Sequence, residues 1–460
     1  MFLLPDTPVT SLDEYLATGV GGAGLAAARA LGPDGTIEVV AASGLRGRGG
    51  GGFPTGRKWA GIAGQGGGRH YVVVNGAEGE PGTFKDRALL RANPYQVVEG
   101  AAIAAFAVGA TEVYVGLKAA FERERAALTR AVQEFQAAGL CPDCTVTIVA
   151  GPDEYLFGEE KALLEVIEGK PPLPRRFPPY EHGLFAATPQ QGWEAGPHGT
   201  DRRDVDRPNP TLVNNVETLA NVAHICARGA DWFRSYGTDA SPGTVVATVV
   251  GDVVAPDVGE VELGTPLGSV IAAVGSGLAP GRSVKAVLPG YANPVVTGAQ
   301  LDTPVSYEGF AAIGSGMGSA GFIVLDDTAC MVAAAHRASR FLWVESCGQC
   351  PPCKLGSGEI TERLARIEAG TGTDDDVAAI EGWLDRVTDG NRCYLAVEEQ
   401  QVVGSILAAF ADEVVEHLRL GRCPRPDDRP VPKLVDLAGG QATYDDTYGR
   451  KRPDWTYAPA

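Results

Sequence analysis

The first strong periodic signal along the chain begins at Tyr71. YVVVN (71–75) is a continuous apolar run of strand length, and 97–107 carries the wider apolar spacing of a helix. EVYVGLK (112–118) reads as a second strand, AAFERERAALTRAVQEFQAAG (119–139) as an amphipathic helix and TVTIVAG (145–151) as a third strand. Strands alternating with helices predict a parallel sheet, whose ligands sit beyond the carboxyl ends of the strands. NGAEGEPGTFKDR (75–87) leaves the first strand at such an end, and EYLFGEE (154–160) follows the third. EEKALLEVIEG (159–169) then reads as a helix stopped by Gly169.

Outside this α/β block the pattern changes. Residues 1–36 predict a short helix among Gly-rich turns, and 170–211, rich in Pro, Arg and Gly, a long loop. TLVNNVETLANVAHICARG (211–229) reads as the opening of another helix. Between 243 and 306 short β-type runs alternate with turns around one helix near 267–275, which predicts a small β-rich domain. From 328 to 420 the pattern is helical, interrupted at a group of cysteines, and the Pro-rich charged tail from Cys423 predicts an extended arm. The predicted domains are 1–235 (α/β), 236–325 (β-rich), 326–422 (helical) and 423–460 (tail).

A chain of 460 residues exceeds one ordinary core, in keeping with several domains. The N-terminus lacks a basic region followed by an apolar run, so no signal peptide is expected. The apolar stretch 97–110 is too short to span a bilayer. These features predict a cytoplasmic protein with no direct membrane insertion. A net charge of −18 argues against nucleic acid as a partner. Any anionic ligand must then meet a local basic pocket. SGLRGRGGGGFPTGRKW (43–59) offers one, since glycines expose backbone N–H groups among Arg46, Arg48, Arg57 and Lys58. Phe53, Pro54 and Trp59 argue against a flexible linker.

The nine cysteines are odd in number and unevenly spread, unlike a disulfide scaffold. ESCGQCPPC places Cys347, Cys350 and Cys353 as C-x2-C-x2-C, with Cys393 as a distant fourth thiol. Three soft ligands on one loop and a fourth from afar favour a [4Fe–4S] cluster over zinc, which more often uses two separated pairs. Cys141 and Cys144 in CPDC, Cys226, Cys330 and Cys423 read as ordinary residues with no metal or redox role.

The Gly-rich loop, NGAEGEPGTFKDR, YLFGEE, TLVNNVET and the cysteine group follow one another in a recognisable order. Over about residues 40–410 the chain resembles the NADH-oxidising flavoprotein subunit of respiratory complex I, and the diaphorase subunits of NAD-linked hydrogenases and formate dehydrogenases. The resemblance implies FMN, one [4Fe–4S] cluster and NAD(H) as substrate. It implies an FMN-binding α/β domain with a parallel sheet, then a β-grasp (ubiquitin-like) domain, then a C-terminal helical bundle carrying the cluster. Hydride passes between NAD(H) and FMN, and single electrons then pass to the cluster and on to partner subunits, among them a thioredoxin-like [2Fe–2S] subunit. Such an assembly implies a cytoplasmic location, peripheral to the membrane through the partners.

By the same resemblance, Gly47, Arg48, Gly49, Gly50 and Gly52 form the backbone that approaches the phosphates, with Lys58 as the positive contact. Phe53 and Tyr180 offer faces to adenine. Asn75 and Glu78 lie near the flavin, and Glu80 and Glu160 near the nicotinamide, with a catalytic role implied for both glutamates. Tyr155, Gly158 and Glu159 belong to the same Y-x-x-G-E-E element as Glu160. Val213, Asn214, Asn215 and Thr218 wrap the ribityl and phosphate. Cys347, Cys350, Cys353 and Cys393 hold the cluster. Four positions depart from the family pattern: Ala77 replaces a flavin-site aspartate, no aromatic follows Trp59, the loop from Phe185 to Thr211 is long, and Ala396 replaces a glycine. The first two are worth about 1–3 kcal/mol together. They leave open a second reading, an electron-transfer or scaffold subunit that no longer accepts nicotinamide.

Overall fold

The computed structural model describes residues 1–66, 68–186 and 207–459. Two compact units divide the chain. The first takes Met1–Glu78, Asp86–Asp153 and Phe157–Thr244, and the second Gly79–Lys85, Glu154–Leu156 and Val245–Ala460.

Among the described residues, four strands build the sheet of the first unit: β1 (Tyr71–Asn75), β2 (Glu112–Lys118), β3 (Thr145–Gly151) and β4 (Thr211–Asn215). Their order is β3-β2-β1-β4, and every pair is parallel. Three of these strands follow the predicted apolar runs residue for residue. The fourth does not, because TLVNN opens no helix but lies beside β1 with Asn75 opposite Asn215. The helix starts one residue later, at Val216–Arg228, where the Asn215 side chain accepts from the Glu217 N–H. A β-branched pair and an N-cap asparagine suit that division.

The helix Pro94–Val108 is buried on nearly every side, which is why it shows almost no amphipathic pattern. Asn93 caps it, Pro94 stands at its first position, and Gly109 at φ 70° ends it. It packs against Val216–Arg228 so closely that a Cβ at Gly100 would fall on the Leu219 carbonyl. Near the N-terminus the short helix Leu12–Ala17 is followed by a second one the sequence pattern did not show, Ala23–Ala42, helical across a break at Gly32 (φ 75°). A distant carboxylate supplies its cap: buried Glu99 accepts from the N–H groups of Gly22 and Leu25, each at 2.8 Å.

In the second unit, β5 (Thr244–Gly251), β6 (Asp257–Glu262), β7 (Val284–Pro289), β8 (Val296–Thr297) and β9 (Gly321–Asp326) form a mixed sheet in the order β6-β5-β9-β7-β8. β5 runs parallel to β9, while β7 is antiparallel to both β9 and β8. The helix Leu267–Gly275 contributes Leu267, Val270 and Ile271 to a core shared with Ala247, Val249, Phe322 and Val324 of the sheet. The helices Met331–Glu345, Pro351–Glu368, Asp374–Leu384, Leu395–Ala409 and Ala411–Leu420 follow. The tail is no extended arm. β10 (Leu434–Ala438) and β11 (Gln441–Tyr444) pair as a hairpin, and Tyr448 and Lys451 are buried. Lys451 Nζ reaches Glu345 at 2.9 Å, a fully buried ion pair that holds the tail against the helix Met331–Glu345. Among the described residues, no helix is long and apolar enough to cross a membrane.

Candidate functional site

A cleft of about 680 Å³ opens in the first unit where the parallel strands end. That volume suits a cofactor-sized ligand. Strand register puts Asn75 at the end of β1 and Asn214 and Asn215 at the end of β4, so three carboxamides meet at one sheet edge. Each is held in place. Trp59 Nε1 donates to Asn214 Oδ1 (2.8 Å), Asn215 Nδ2 to Asp86 (2.7 Å), and Asn75 Nδ2 to the Gly158 carbonyl (2.7 Å).

The Gly-rich stretch folds over this edge as a tight loop. Gly47 N–H donates to Phe53 O, Thr55 N–H to Leu45 O, and Arg46 Nε to Gly52 O. Gly50 (φ 115°) and Gly52 (φ 58°) take the left-handed backbone that lets the chain turn there. A Cβ on Gly49 would stand 3.1 Å from Asn215 Cβ, and Gly51 faces open space. Glycine at both positions leaves the backbone amides reachable by a ligand. The helix Thr55–Ala63 starts from this loop and turns one face to the cleft through Lys58, Gly61 and Ile62, with Gln65 just past its end.

Charge and aromatic faces complete the walls. Lys58 Nζ lies 3.0 Å from Glu160, and Arg57 stands over the Phe53 ring at 5.8 Å. Phe53 is 51% and Tyr180 46% exposed, unusual for aromatics lining a cleft that is otherwise built into the fold. Glu159 caps the helix Glu160–Ile167 by accepting from the N–H groups of Lys161 and Ala162. Burial pushes its carboxyl up to about 7 despite those bonds and Lys161.

Of the residues singled out from the sequence, Gly47, Gly49, Gly52, Phe53, Lys58, Asn75, Gly158, Glu159, Glu160, Tyr180, Val213, Asn214, Asn215 and Thr218 all line this one cleft. Arg48 turns inward instead. Its guanidinium donates to Thr244 O and Pro242 O, and its N–H bonds Thr218 Oγ1 (2.9 Å), so it braces the loop from behind. Glu78 is likewise drawn inward, accepting from Arg87 at 3.1 Å with both side chains buried. Gly50 serves the turn. Tyr155 and Glu80 belong to the second unit, where Tyr155 donates to Glu398 (3.0 Å) and Glu80 accepts from Ser319 Oγ (2.6 Å). Ala77 sits in the apolar cluster of Phe157, Leu163 and Val213 at 1% exposure. Gly51, Gly61, Ile62, Gln65, Pro179 and Thr211 were missed; the i, i+3, i+4, i+7 spacing from Lys58 was the signal for Gly61, Ile62 and Gln65. Most of the long loop before Thr211 lies outside the described residues.

In the second unit, Cys347, Cys350, Cys353 and Cys393 form no disulfide. Cys350 is the N-cap of the helix Pro351–Glu368, and Cys353 lies in its first turn. Lys354 Nζ donates to Ser346 O (2.7 Å) and Trp343 O (3.0 Å), pinning the loop that carries Cys347. Arg392 reaches Gln349 Oε1 at 3.1 Å, which draws the segment of Cys393 to that loop. Burial, then the neighbouring Cys350 and Cys347, pushes the Cys353 thiol up to about 12. Three neighbouring thiols on this loop are the soft ligand type that iron–sulfur clusters take. The CPDC pair behaves differently from expectation: the turn before β3 brings Cys141 and Cys144 to a Cα separation of 5.8 Å, and they are disulfide-bonded.

A glycine loop over the carboxyl edge of a parallel sheet, with a cysteine group further along the chain, fits a protein that binds an anionic cofactor and a thiolate-held metal centre. Residues 40–224 match the Nuo51 FMN-binding domain, and 333–417 match the NADH-ubiquinone oxidoreductase-F iron-sulfur binding region. The chain is 37% identical to the second F subunit of NADH-quinone oxidoreductase in Rhizobium meliloti, over 89% of this chain and 96% of that one. Against NADP-reducing hydrogenase subunit HndC of Solidesulfovibrio fructosivorans it is 35% identical, over 90% and 82%. An NAD+-reducing [NiFe]-hydrogenase structure superposes with a TM-score of 0.73 at 31% identity. That match covers 92% of this chain and 66% of the hydrogenase chain, so this chain spans just under two thirds of it. The chain belongs to the family of NADH-quinone oxidoreductase F subunits, the NADH-oxidising flavoproteins that feed electrons into multisubunit oxidoreductases.

Proposed function

We propose that the cleft of the first unit binds FMN with its phosphate against the glycine loop, and that NADH docks against the same cleft. The observation that carries this reading is the convergence of the glycine loop, Lys58 and three fixed carboxamides on one sheet edge. Bound FMN supplies the chemistry, taking an electron pair as hydride and releasing electrons one at a time. The protein's part is to bind and orient. Backbone N–H groups of Gly49 and Gly52, with Lys58 and Arg57, attract phosphate, while Gly47 N–H closes the loop on Phe53 O. Asn75, Asn214, Asn215 and Thr218 donate to the polar edge of the flavin and its chain. Phe53 and Tyr180, already exposed, give adenine two surfaces to stack on. Glu160 orients the nicotinamide end, and Glu78 acts as a buried brace. Cys347, Cys350, Cys353 and Cys393 hold the [4Fe–4S] cluster as the exit for electrons.

In the same reading the mixed five-stranded sheet is a β-grasp domain, and the boundaries at 235, 325 and 422 separate the functional modules. The electrons pass to partner iron–sulfur subunits, a thioredoxin-like [2Fe–2S] protein among them, in a cytoplasmic complex held peripherally at the membrane. Relatives named as subunits support a multisubunit setting. Ala77 gives little support to a reading without NADH, because its methyl belongs to the core cluster. Anaerobic titration of the FMN- and cluster-loaded protein with NADH tests the proposal. Stoichiometric loss of oxidised-flavin absorbance is expected. Bleaching by dithionite but not by NADH would sink it.

A further inference from the structure

Three side chains used by neither the flavin cleft nor the four-thiol group meet elsewhere in the second unit. Cys330 is the N-cap of the helix Met331–Glu345, His417 lies in the last turn of Ala411–Leu420, and Cys423 follows the turn at Gly421. Cys330 Sγ stands 3.3 Å from His417 Nε2 and 3.6 Å from Cys423 Sγ. All three donor atoms lie within 4.8 Å of one another. Cys330 and His417 are fully buried.

The spacing matches a tetrahedral ion. With zinc–sulfur bonds of about 2.3 Å and zinc–nitrogen bonds of about 2.0 Å, two sulfurs stand about 3.8 Å apart, and sulfur and nitrogen about 3.5 Å. Thiols packed without an ion can approach as closely, so the histidine is the more telling group. Its Nδ1 lies 2.6 Å from the Glu413 carbonyl, which can only accept. The ring hydrogen is therefore on Nδ1, and the Nε2 lone pair faces the sulfurs. A backbone carbonyl orienting the far nitrogen is the usual arrangement behind a metal-bound imidazole.

The acids nearby are committed elsewhere. Asp427 accepts from the Cys330 N–H (3.0 Å) and is paired with Arg337 (3.0 Å) and Arg429 (2.8 Å). Glu413 accepts from the Met331 N–H (3.0 Å) and pairs with Lys285. That leaves a set of two sulfurs and one nitrogen, a combination that zinc takes readily.

We propose that Cys330, His417 and Cys423 bind one zinc ion, with water as the fourth ligand, which clamps the start of the C-terminal tail to two helices of the second unit. Binding releases the two thiol protons to solvent, and two thiolates balance the charge of the ion, so no net charge is buried. The site is separate from the iron–sulfur group and does not depend on the flavin reading.

The test uses the full chain with FMN and cluster loaded, purified without chelator and then dialysed against zinc and desalted. Elemental analysis is expected to find about one zinc per chain besides the iron, and zinc X-ray absorption a shell of two sulfurs, one nitrogen and one oxygen. Cys423→Ser and His417→Ala are expected to lose the zinc while keeping flavin and iron. Wild-type protein that retains no zinc, or holds it without sulfur neighbours, overturns the proposal. So does a Cys330–Cys423 disulfide found by mass spectrometry in the same sample, which would make the pair a redox element instead. The absorption measurement needs no variant, so a variant that fails to fold does not decide the matter.

Discussion

Glu159 shows how one buried carboxylate can make a binding site sensitive to pH. Burial raises it from its ordinary 4.5 to about 7, so near neutrality it changes charge within the cleft proposed for phosphates. The sign follows directly. Between 4.5 and 7 the unfolded chain has lost this proton while the folded chain keeps it, so the group's contribution to stability falls as pH rises through that window and is level above it. For binding, ionised Glu159 repels an anionic ligand. NADH affinity of the FMN-loaded protein is expected to weaken as pH crosses from 6 to 8, by about threefold to tenfold, and Glu159→Gln is expected to flatten that step. Isothermal titration across the range checks both. Lys58 works in the opposite sense: pairing with Glu160 at 3.0 Å offsets one acidic charge at the wall. Lys58→Ala is expected to weaken FMN binding by about tenfold, a loss of about 1.4 kcal/mol, read from flavin fluorescence quenching.

At the scale of elements, the contact between Pro94–Val108 and Val216–Arg228 is a tight constraint on the first unit. The two helices approach where Gly100 has no side chain, and an added Cβ would meet the Leu219 carbonyl, a backbone atom that cannot swing aside. Gly100→Ala is expected to destabilise the protein by about 1–3 kcal/mol through overpacking. Gly61→Ala, where a Cβ meets nothing within 4 Å, should stay within about 0.5 kcal/mol. Denaturant midpoints separate the two. Since Val216–Arg228 begins at Asn215, forcing these helices apart also disturbs the carboxamide row at the ends of β1 and β4.

Across the whole molecule, each unit carries its own core and its own site. In the proposed cluster site, loss of iron leaves Cys353 with Cys350 and Cys347 as close neighbours, and burial already pushes its thiol up to about 12. Loss of iron is therefore expected to raise hydrogen exchange in Pro351–Glu368 and Leu395–Ala409, with the amides of β1 and β4 unchanged. The net charge of −18 also makes the basic loop a local exception. In the proposed site Lys58 and Arg57 act on an anion only over a short distance, against the field of the rest of the chain.

Much of this was legible in contiguous residues. YVVVN, EVYVGLK and TVTIVAG became strands over the expected residues because a strand of a parallel sheet needs a short apolar run, and that run is local information. The cysteine spacing and the glycine loop were readable for the same reason, since each concentrates its chemistry in a few neighbouring positions. The tertiary structure decided whatever depends on partners far apart in the chain. TLVNN became β4 because β1 was there to pair with it, and the helix from Ala23 took its cap from Glu99. Arg48 and Glu78, both charged and near the loop, turned inward because buried acceptors and Arg87 awaited them. The tail folded into a hairpin and a buried ion pair once Glu345 lay within reach of Lys451. Cys330, His417 and Cys423 looked unrelated until folding placed their donor atoms within 4.8 Å, because proximity between distant residues is created only when the core closes around them.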